Sequence, residues 1–255
     1  MISAMPDVKV YLDRIAYRGS TAPNSETLRA IHRAHLLAVP FENLDIALGR
    51  KIAMDGDAFV RKVVERRRGG FCYELNGAFA ALLRALGFQV TLLSARVAGE
   101  KGRESPEFDH LCLRVELEES WLADVGFGEL FLEPLRLHSN VEQTDPAGIF
   151  KIVQRDPRFR LEKAQPDGTW KRQYSFTLQP RRLEDFAGMC HYHQTSPDSH
   201  FVKNRICSLA TGEGRITLSG MTFIVTKNGV RTETEITSER ERCDVLRDRF
   251  GIAVT

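Results

Sequence analysis

Apolar positions recur every three to four residues through the first third of the chain and every two residues beyond it, which predicts helices first and strands second. Val8, Tyr11, Leu12 and Ile15 form one stripe behind Asp7, an N-cap residue type, and stop before Arg18-Gly19. Leu28, Ile31, His35 and Leu36 form a second stripe, with Ser25 able to cap it and Pro40 preventing continuation. Phe41-Glu42-Asn43-Leu44 then crosses irregularly. A third stripe, Phe59, Val63 and Val64, begins near Asp57 and runs into Arg66-Arg67-Arg68. A fourth, Leu75, Phe79, Leu82, Leu83 and Leu86, starts at Cys72 and closes at Gly87, a C-cap residue type.

After Gly87 the period falls to two. Residues 88–95, 110–117 and 121–125 predict strands rich in Val, Leu and Phe, with a polar loop over 99–106. Residues 134–156 predict loops with one strand near 149–153, followed by strands over 159–163 and 170–178 around Pro166-Asp167-Gly168. A short helix over 183–188 follows Pro180, and 192–201 is turn-rich. The last unit is a hairpin: 216–219 and 221–226 lead through Asn228-Gly229, a strong short turn signal, into 230–236. Ser238-x-x-Glu241 has the capping-box pattern for a final helix toward Phe250-Gly251.

Charge changes this picture little. Lys+Arg 36 against Asp+Glu 34 leaves a net +2, so no broad positive field invites nucleic acid. Arg66-Arg67-Arg68 reads as a solvated helix end, where cations are favourable, with Arg68 positioned to be buried against an acid such as Glu42. Five cysteines, Cys72, Cys112, Cys190, Cys207 and Cys243, are widely spaced with no CxxC pair, which indicates reduced thiols. Met1 to Pro6 lacks a charged-then-apolar leader and no apolar run approaches ~18 residues, so the expectation is a cytoplasmic protein.

The candidate chemistry lies in Arg68-Gly69-Gly70-Phe71-Cys72-Tyr73-Glu74-Leu75-Asn76, which sets a cysteine after a glycine turn and at the start of a helix. Unpaired N–H groups and the helix dipole there favour a thiolate, and with a base beside it the expected pKa falls to roughly 3.5–7.5. A free cysteine is also a common core residue. Among seven histidines, His32 and His35 precede the cysteine on a helix, His138, His191, His193 and His200 fall in loop-like stretches, and His110 opens a strand that can aim it. Asp124, inside the apolar run Trp121-Leu122-Ala123-Asp124-Val125, needs a partner: His110, or backbone N–H groups in a purely structural role. The order Cys72, His110, Asp124 is that of papain-like thiol enzymes. A turn at Glu118-Glu119 sets Asp124 opposite Leu113, so a triad requires a turn nearer Leu117 or a bulge.

Together with Val39-Pro40-Phe41-Glu42-Asn43-Leu44, the strand carrying His110, Ala123-Asp124-Val125-Gly126-Phe127-Gly128 and Gln194-Thr195-Ser196-Pro197-Asp198-Ser199, this stretch resembles the arylamine N-acetyltransferase family over nearly the whole chain. The resemblance implies an α+β fold with papain-like cysteine-transferase architecture: an N-terminal helical bundle (1–87), a central antiparallel β-barrel (88–190) and a C-terminal α/β lid (191–255). It implies ping-pong transfer of an acetyl group from acetyl-CoA, a substrate rather than a resident cofactor, to an arylamine, arylhydrazine or N-hydroxyarylamine, as in xenobiotic metabolism. Cys72, His110 and Asp124 would be the triad, with Tyr73, Gly126, Phe127, Gly128 and Phe201 around the acceptor and Glu42 with Arg68 a buried structural pair. The resemblance assigns no residue to CoA contacts and implies no metal, nucleic acid or membrane. Asp109, before His110, departs from the Thr common in the family.

Other readings of the sequence remain open. A macrolactam-forming amide synthase would employ the same triad, and a redox sensor or ligand-binding protein would use Cys72 without turnover. Cys190-His191-Tyr192-His193 hints at a metal site but lacks a second ligand pair at zinc-finger spacing.

Overall fold

The structure, a computed structural model, describes residues 7–138 and 140–253; the leader reading of Met1 to Pro6 lies outside them. The chain begins α1 (Val8–Arg14), α2 (Ser25–Ala38), β1 (Phe41–Glu42), α3 (Leu44–Ala47), α4 (Gly56–Val64) and α5 (Cys72–Ala85). Asp7 caps α1 by accepting from Val10 N. The cap of α2 is Asn24 rather than Ser25, because the Asn24 carboxamide oxygen takes Thr27 N at 2.8 Å and draws Ser25 into the helix. Asp55 does the same for α4, moving its start ahead of Asp57. Leu75, Phe79, Leu82 and Leu83 of α5 are wholly buried, each contributing about 1.5–3 kcal/mol. The helix is thereby the spine of the N-terminal core, and Gly87 ends it at φ +90°, a conformation open to glycine.

Eight antiparallel strands follow: β2 (Gln89–Val97), β3 (His110–Glu116), β4 (Ser120–Ala123), β5 (Leu135–Arg136), β6 (Gln143–Asp145), β7 (Gly148–Arg155), β8 (Arg158–Ala164) and β9 (Trp170–Phe176). Their order, β5-β4-β3-β2-β9-β8-β7-β6, curls into a nearly closed barrel. Where β5 and β6 approach, the Gln143 side chain completes the seam, accepting from Arg136 N at 2.8 Å and donating to Arg136 O at 3.0 Å. The 134–156 segment thus holds three strands, not one; β5 and β6 are too short to show an alternation in sequence. The buried β3 has two apolar faces: Leu111, Leu113 and Val115 join the helical core, while Cys112 joins Leu93, Leu122, Ile152 and Tyr174 inside the barrel.

Beyond the barrel come a 3₁₀ turn (Leu183–Phe186), α6 (Ala187–Thr195), α7 (His200–Lys203), β10 (Ile206–Thr211), β11 (Gly214–Ser219), β12 (Thr222–Lys227), β13 (Val230–Glu235) and α8 (Glu239–Phe250). Helix α6 extends into a stretch read as turns, and β10 was not anticipated: its buried positions are the small residues Cys207, Ser208 and Ala210, which give no apolar alternation. The second sheet runs β1-β10-β11-β12-β13, so a strand from the N-terminal segment edges a C-terminal sheet. Leu246, Phe250 and Ile252 seal that sheet from the α8 side. No helix among the described residues is long and apolar enough to cross a membrane.

Two features fix where α5 begins. Gly69-Gly70 is not a turn: neither glycine has positive φ, and Gly70 bridges β1, with Glu42 N donating to Gly70 O at 2.8 Å. A Cβ on Gly69 would lie 1.9 Å from Pro40 O, so absence of a side chain is what the position needs. Beside it lies a buried charge network. Arg68 contacts Glu42 at 2.8 Å and Asp45 at 3.1 Å, while Lys62 contacts Asp45 at 2.7 Å and Glu74 at 2.8 Å. Glu74, in the first turn of α5, also accepts from Phe71 N at 3.1 Å.

Three carboxyls share two cations here, and burial, with the charge of Glu42 behind it, outweighs Lys62 and pushes Glu74 up to about 7 from 4.5. A carboxyl raised in the folded state binds its proton more tightly than in the unfolded chain. Its contribution to stability is therefore full below pH 4.5 and lost as pH rises through about 7. Glu74→Gln should accordingly raise the melting temperature at pH 8 and leave it nearly unchanged at pH 5, as followed by thermal denaturation at both pH values. A fall at both would mean that the ionised carboxylate is needed.

Candidate active site

Cys72 is the first residue of α5, after Phe71 at the N-cap. The helical ladder begins with Leu75 N donating to Phe71 O at 3.0 Å, so the N–H groups of Cys72, Tyr73 and Glu74 lie ahead of it. The thiol is almost completely buried, 3 % exposed, with Sγ 4.0 Å from Asp109 O. Burial pushes its pKa well above the ordinary thiol value; a backbone hydrogen bond at Leu111 opposes this, and the charges of Asp109 and Asp124 add to it. The expectation of a lowered pKa is thus not met for Cys72 alone. Desolvation and two nearby carboxylates outweigh the helix end.

Four residues on along the same helix face, Asn76 ties α5 to the barrel. Its Nδ2 donates to Leu111 O at 2.6 Å and to Asp124 Oδ1 at 2.9 Å, and its Oδ1 accepts from Val125 N at 2.9 Å. One side chain therefore holds the helix carrying the cysteine against both the strand carrying His110 and the segment carrying Asp124. Gly126 completes the junction: a Cβ there would sit 2.8 Å from Cys72 Cα and 2.9 Å from Cys72 O. Gly128, at φ +100°, continues past the ring of Phe41.

His110 and Asp124 meet without a bulge. Glu116 pairs with Ser120 and Leu113 with Ala123, so the turn is centred on Glu118, and the register puts Asp124 across from Cys112, not Leu113. That one-residue difference moves Asp124 to the face that His110 shares with Cys112, a diagonal neighbour within side-chain reach. His110 Nε2 lies 2.7 Å from Asp124 Oδ2. The same oxygen accepts from Tyr174 Oη at 3.0 Å, and Oδ1 accepts from Gly126 N at 3.0 Å as well as from Asn76. Burial alone would raise this carboxyl, but the charge of His110 and the hydrogen bonds from His110, Asn76 and Gly126 hold it below the ordinary carboxylate range. Its backbone N–H donates to His32 Nε2 at 3.1 Å, so His32 Nδ1–H is left to donate to Leu132 O at 2.8 Å.

The remaining predicted residues cluster around this core. Tyr73 is fully buried; its hydroxyl donates to Phe108 O at 2.7 Å and Asp109 O at 3.2 Å, just ahead of His110. The partly buried Phe127 stands edge-on to the His110 ring, centroids 5.2 Å apart. Phe201 packs against Phe71 at 5.8 Å and His193 at 5.1 Å. Phe127 and Gly128 also line a cavity of about 770 Å³ between the barrel and the second sheet, whose far wall includes Ser208, Arg215 and Thr226. Cys190 and His193 lie on the buried side of α6 and His191 on its exposed side; among the described residues no group of three His, Cys, Asp or Glu could hold a metal ion. Asn76 and Tyr174 had no role in the sequence reading. The legible signal for Asn76 was an amide among the apolar positions of the helix stripe, whereas Tyr174 is an ordinary strand residue until its partner is known.

Comparison with known proteins shows the family. A family model described as N-acetyltransferase matches residues 24–255. An arylamine N-acetyltransferase of Escherichia coli is 35% identical, aligned over 98% of this chain and 90% of its own. A Salmonella typhimurium protein named arylamine N-acetyltransferase / N-hydroxyarylamine O-acetyltransferase is 33% identical over 96% of this chain and 88% of its own. The structure of Mycobacterium marinum arylamine N-acetyltransferase in complex with CoA superposes with a TM-score of 0.89 at 31% identity, covering 96% of this chain and 93% of that one. By sequence and by fold, then, the chain belongs to the arylamine N-acetyltransferase family and is an acyltransferase.

Proposed function

We propose that the chain transfers an acetyl group from acetyl-CoA to the nitrogen of an arylamine, arylhydrazine or N-hydroxyarylamine by a ping-pong route through acetyl-Cys72. The observation that carries this reading is the pairing of His110 Nε2 with the buried, ionised Asp124 at 2.7 Å, on a strand locked by Asn76 to the helix that begins with Cys72. With Nε2 committed to Asp124, Nδ1 is the ring nitrogen left for the thiol.

The raised pKa of isolated Cys72 makes the partner essential. The proton moves from Sγ to His110 Nδ1 as a pair, and the carboxylates that oppose a lone thiolate favour the imidazolium. The sulfur attacks the thioester carbonyl carbon, and the oxyanion is received by N–H groups at the start of α5. The carbon–sulfur bond to CoA breaks, and the departing thiolate takes the proton from His110. The amine nitrogen then attacks the acetyl carbon, His110 accepts its proton, and Cys72 leaves as the restored sulfur nucleophile.

The acceptor lies, in this reading, against Phe127 and Phe201, with Tyr73 behind them and Gly126 and Gly128 allowing close approach. The cavity of about 770 Å³ lined by Phe127 and Gly128 offers the donor a place beside the acceptor residues. A relative whose structure is a complex with CoA supports that donor, and a relative named for both N- and O-transfer supports the acceptor class. All five cysteines are free, which supports the reading of a reducing, cytoplasmic setting.

Incubation with acetyl-CoA should add one acetyl group to the wild-type protein and none to Cys72→Ala by intact mass, and an arylamine should discharge it. An adduct on Cys72→Ala, or none on wild type, would contradict the assignment. Asp124→Asn should slow loading by roughly 10⁴-fold, since an amide can hold the wrong imidazole tautomer; stopped-flow loading with little change would remove Asp124 from the triad.

A further inference from the structure

Next to the triad lies a second imidazole that the proposed reaction does not use. His193, on α6, has Nε2 3.1 Å from Asp109 Oδ1 and 3.4 Å from Asp109 O; the two side chains are 8% and 14% exposed. Its other nitrogen, Nδ1, is buried without a partner, so Asp109 is what orients the ring. The ring is enclosed by Phe201 at 5.1 Å, Tyr192 at 5.7 Å, Tyr73 at 6.1 Å and Phe71 at 6.4 Å. Two of these four, Phe71 and Tyr73, flank Cys72 directly in sequence.

Asp109 is joined to the reacting groups on both sides. It immediately precedes His110, and its carbonyl oxygen lies 4.0 Å from Cys72 Sγ. The backbone before it is strained: Phe108 adopts φ +69°, held there by Ser94 Oγ accepting from Phe108 N at 2.8 Å and Tyr73 Oη donating to Phe108 O at 2.7 Å. Strain of this kind persists only where the surroundings over-determine it, and the His193–Asp109 contact adds a restraint from α6.

We propose that Asp109 and His193 form a second carboxylate–imidazole couple of the site, positioning residues that set the charge facing the Cys72 sulfur. The imidazole held 3.1 Å from Oδ1 offsets the negative charge of Asp109 and so favours the thiolate; with the imidazole removed, that charge acts on the sulfur uncompensated. Burial opposes ionisation of Asp109, but hydrogen bonds from His193 and Ser105 and the charges of His193 and His110 hold it below the usual carboxylate range. The same carboxylate is one of the charges that raise Cys72. The titratable and charged groups around the couple are Cys72 and Tyr73 from α5, His110 from β3, Cys190 and Tyr192 from α6, and Glu100, Arg103 and Glu104, which line a depression with Asp109, while Asp124 acts on the same sulfur.

The inference rests on Cys72 being the nucleophile, but its test reads the sulfur rather than acetyl transfer, so a failure of acetyl loading leaves it standing. The rate of iodoacetamide alkylation at Cys72, quantified on its peptide by mass, is measured against pH for the full-length protein. Asp109→Asn should shift the midpoint down by about one pH unit, the low end of what a neighbouring charge produces. His193→Gln should shift it up, and the double variant should follow Asp109→Asn. Asp109→Thr serves as a second carboxylate-free variant should Asn impair folding by circular dichroism. A purely structural contact would slow alkylation in both variants without opposed midpoints; shifts in the same direction, or none, overturn the proposal.

Discussion

A carboxylate with no access to water must be solvated by the protein, and in this molecule that demand falls on Asp124. Its two oxygens accept from Asn76 of α5, His110 of β3, Tyr174 of β9 and the backbone of Gly126, while its own N–H is taken by His32 of α2. Removing a partner from a buried charge commonly costs about 3–5 kcal/mol. The helical core and the barrel are consequently joined by more than apolar contact: two helices and two barrel strands each supply one group to the same residue.

That junction also decides the electrostatics of the sulfur. Cys72 is set at a helix start, where a thiolate is favoured in isolation, yet burial and the charges of Asp109 and Asp124 work the other way. The two influences are reconciled if the sulfur ionises only together with His110, because the carboxylates that raise the thiol also support the imidazolium. Close approach makes this possible. Gly126 brings backbone to within contact of Cys72, and Gly69 lets the preceding segment lie against Pro40, so helix, strand and loop meet with no side chain between them.

Much of this was readable in the sequence, for reasons that differ from element to element. The α5 stripe and the Asn228-Gly229 hairpin carry their own periodicity and turn chemistry, and β12 and β13 pair across that turn, Lys227 with Val230. The short strands β5 and β6, of two and three residues, are too brief to show an alternation and leave no local trace. Residues 110 and 124 were singled out by type and context, whereas their shared face depended on a turn centre displaced by half a residue, a distinction that no propensity resolves. The Glu42 and Arg68 contact belongs to a larger set with Asp45, Lys62 and Glu74, because complementary charges that lie far apart in sequence meet only when the chain folds.

Asp124 is central to this account because, in the proposed mechanism, it fixes which ring nitrogen of His110 is left as the base for the thiol, and ¹⁵N NMR of His110 in the Cys72→Ala protein reads that directly. Above the pH at which the ring loses its charge, the account predicts that the remaining proton resides on Nε2, hydrogen-bonded to Asp124, leaving Nδ1 bare. A proton on Nδ1 instead would contradict it, since the imidazole would then have no free base to offer the thiol.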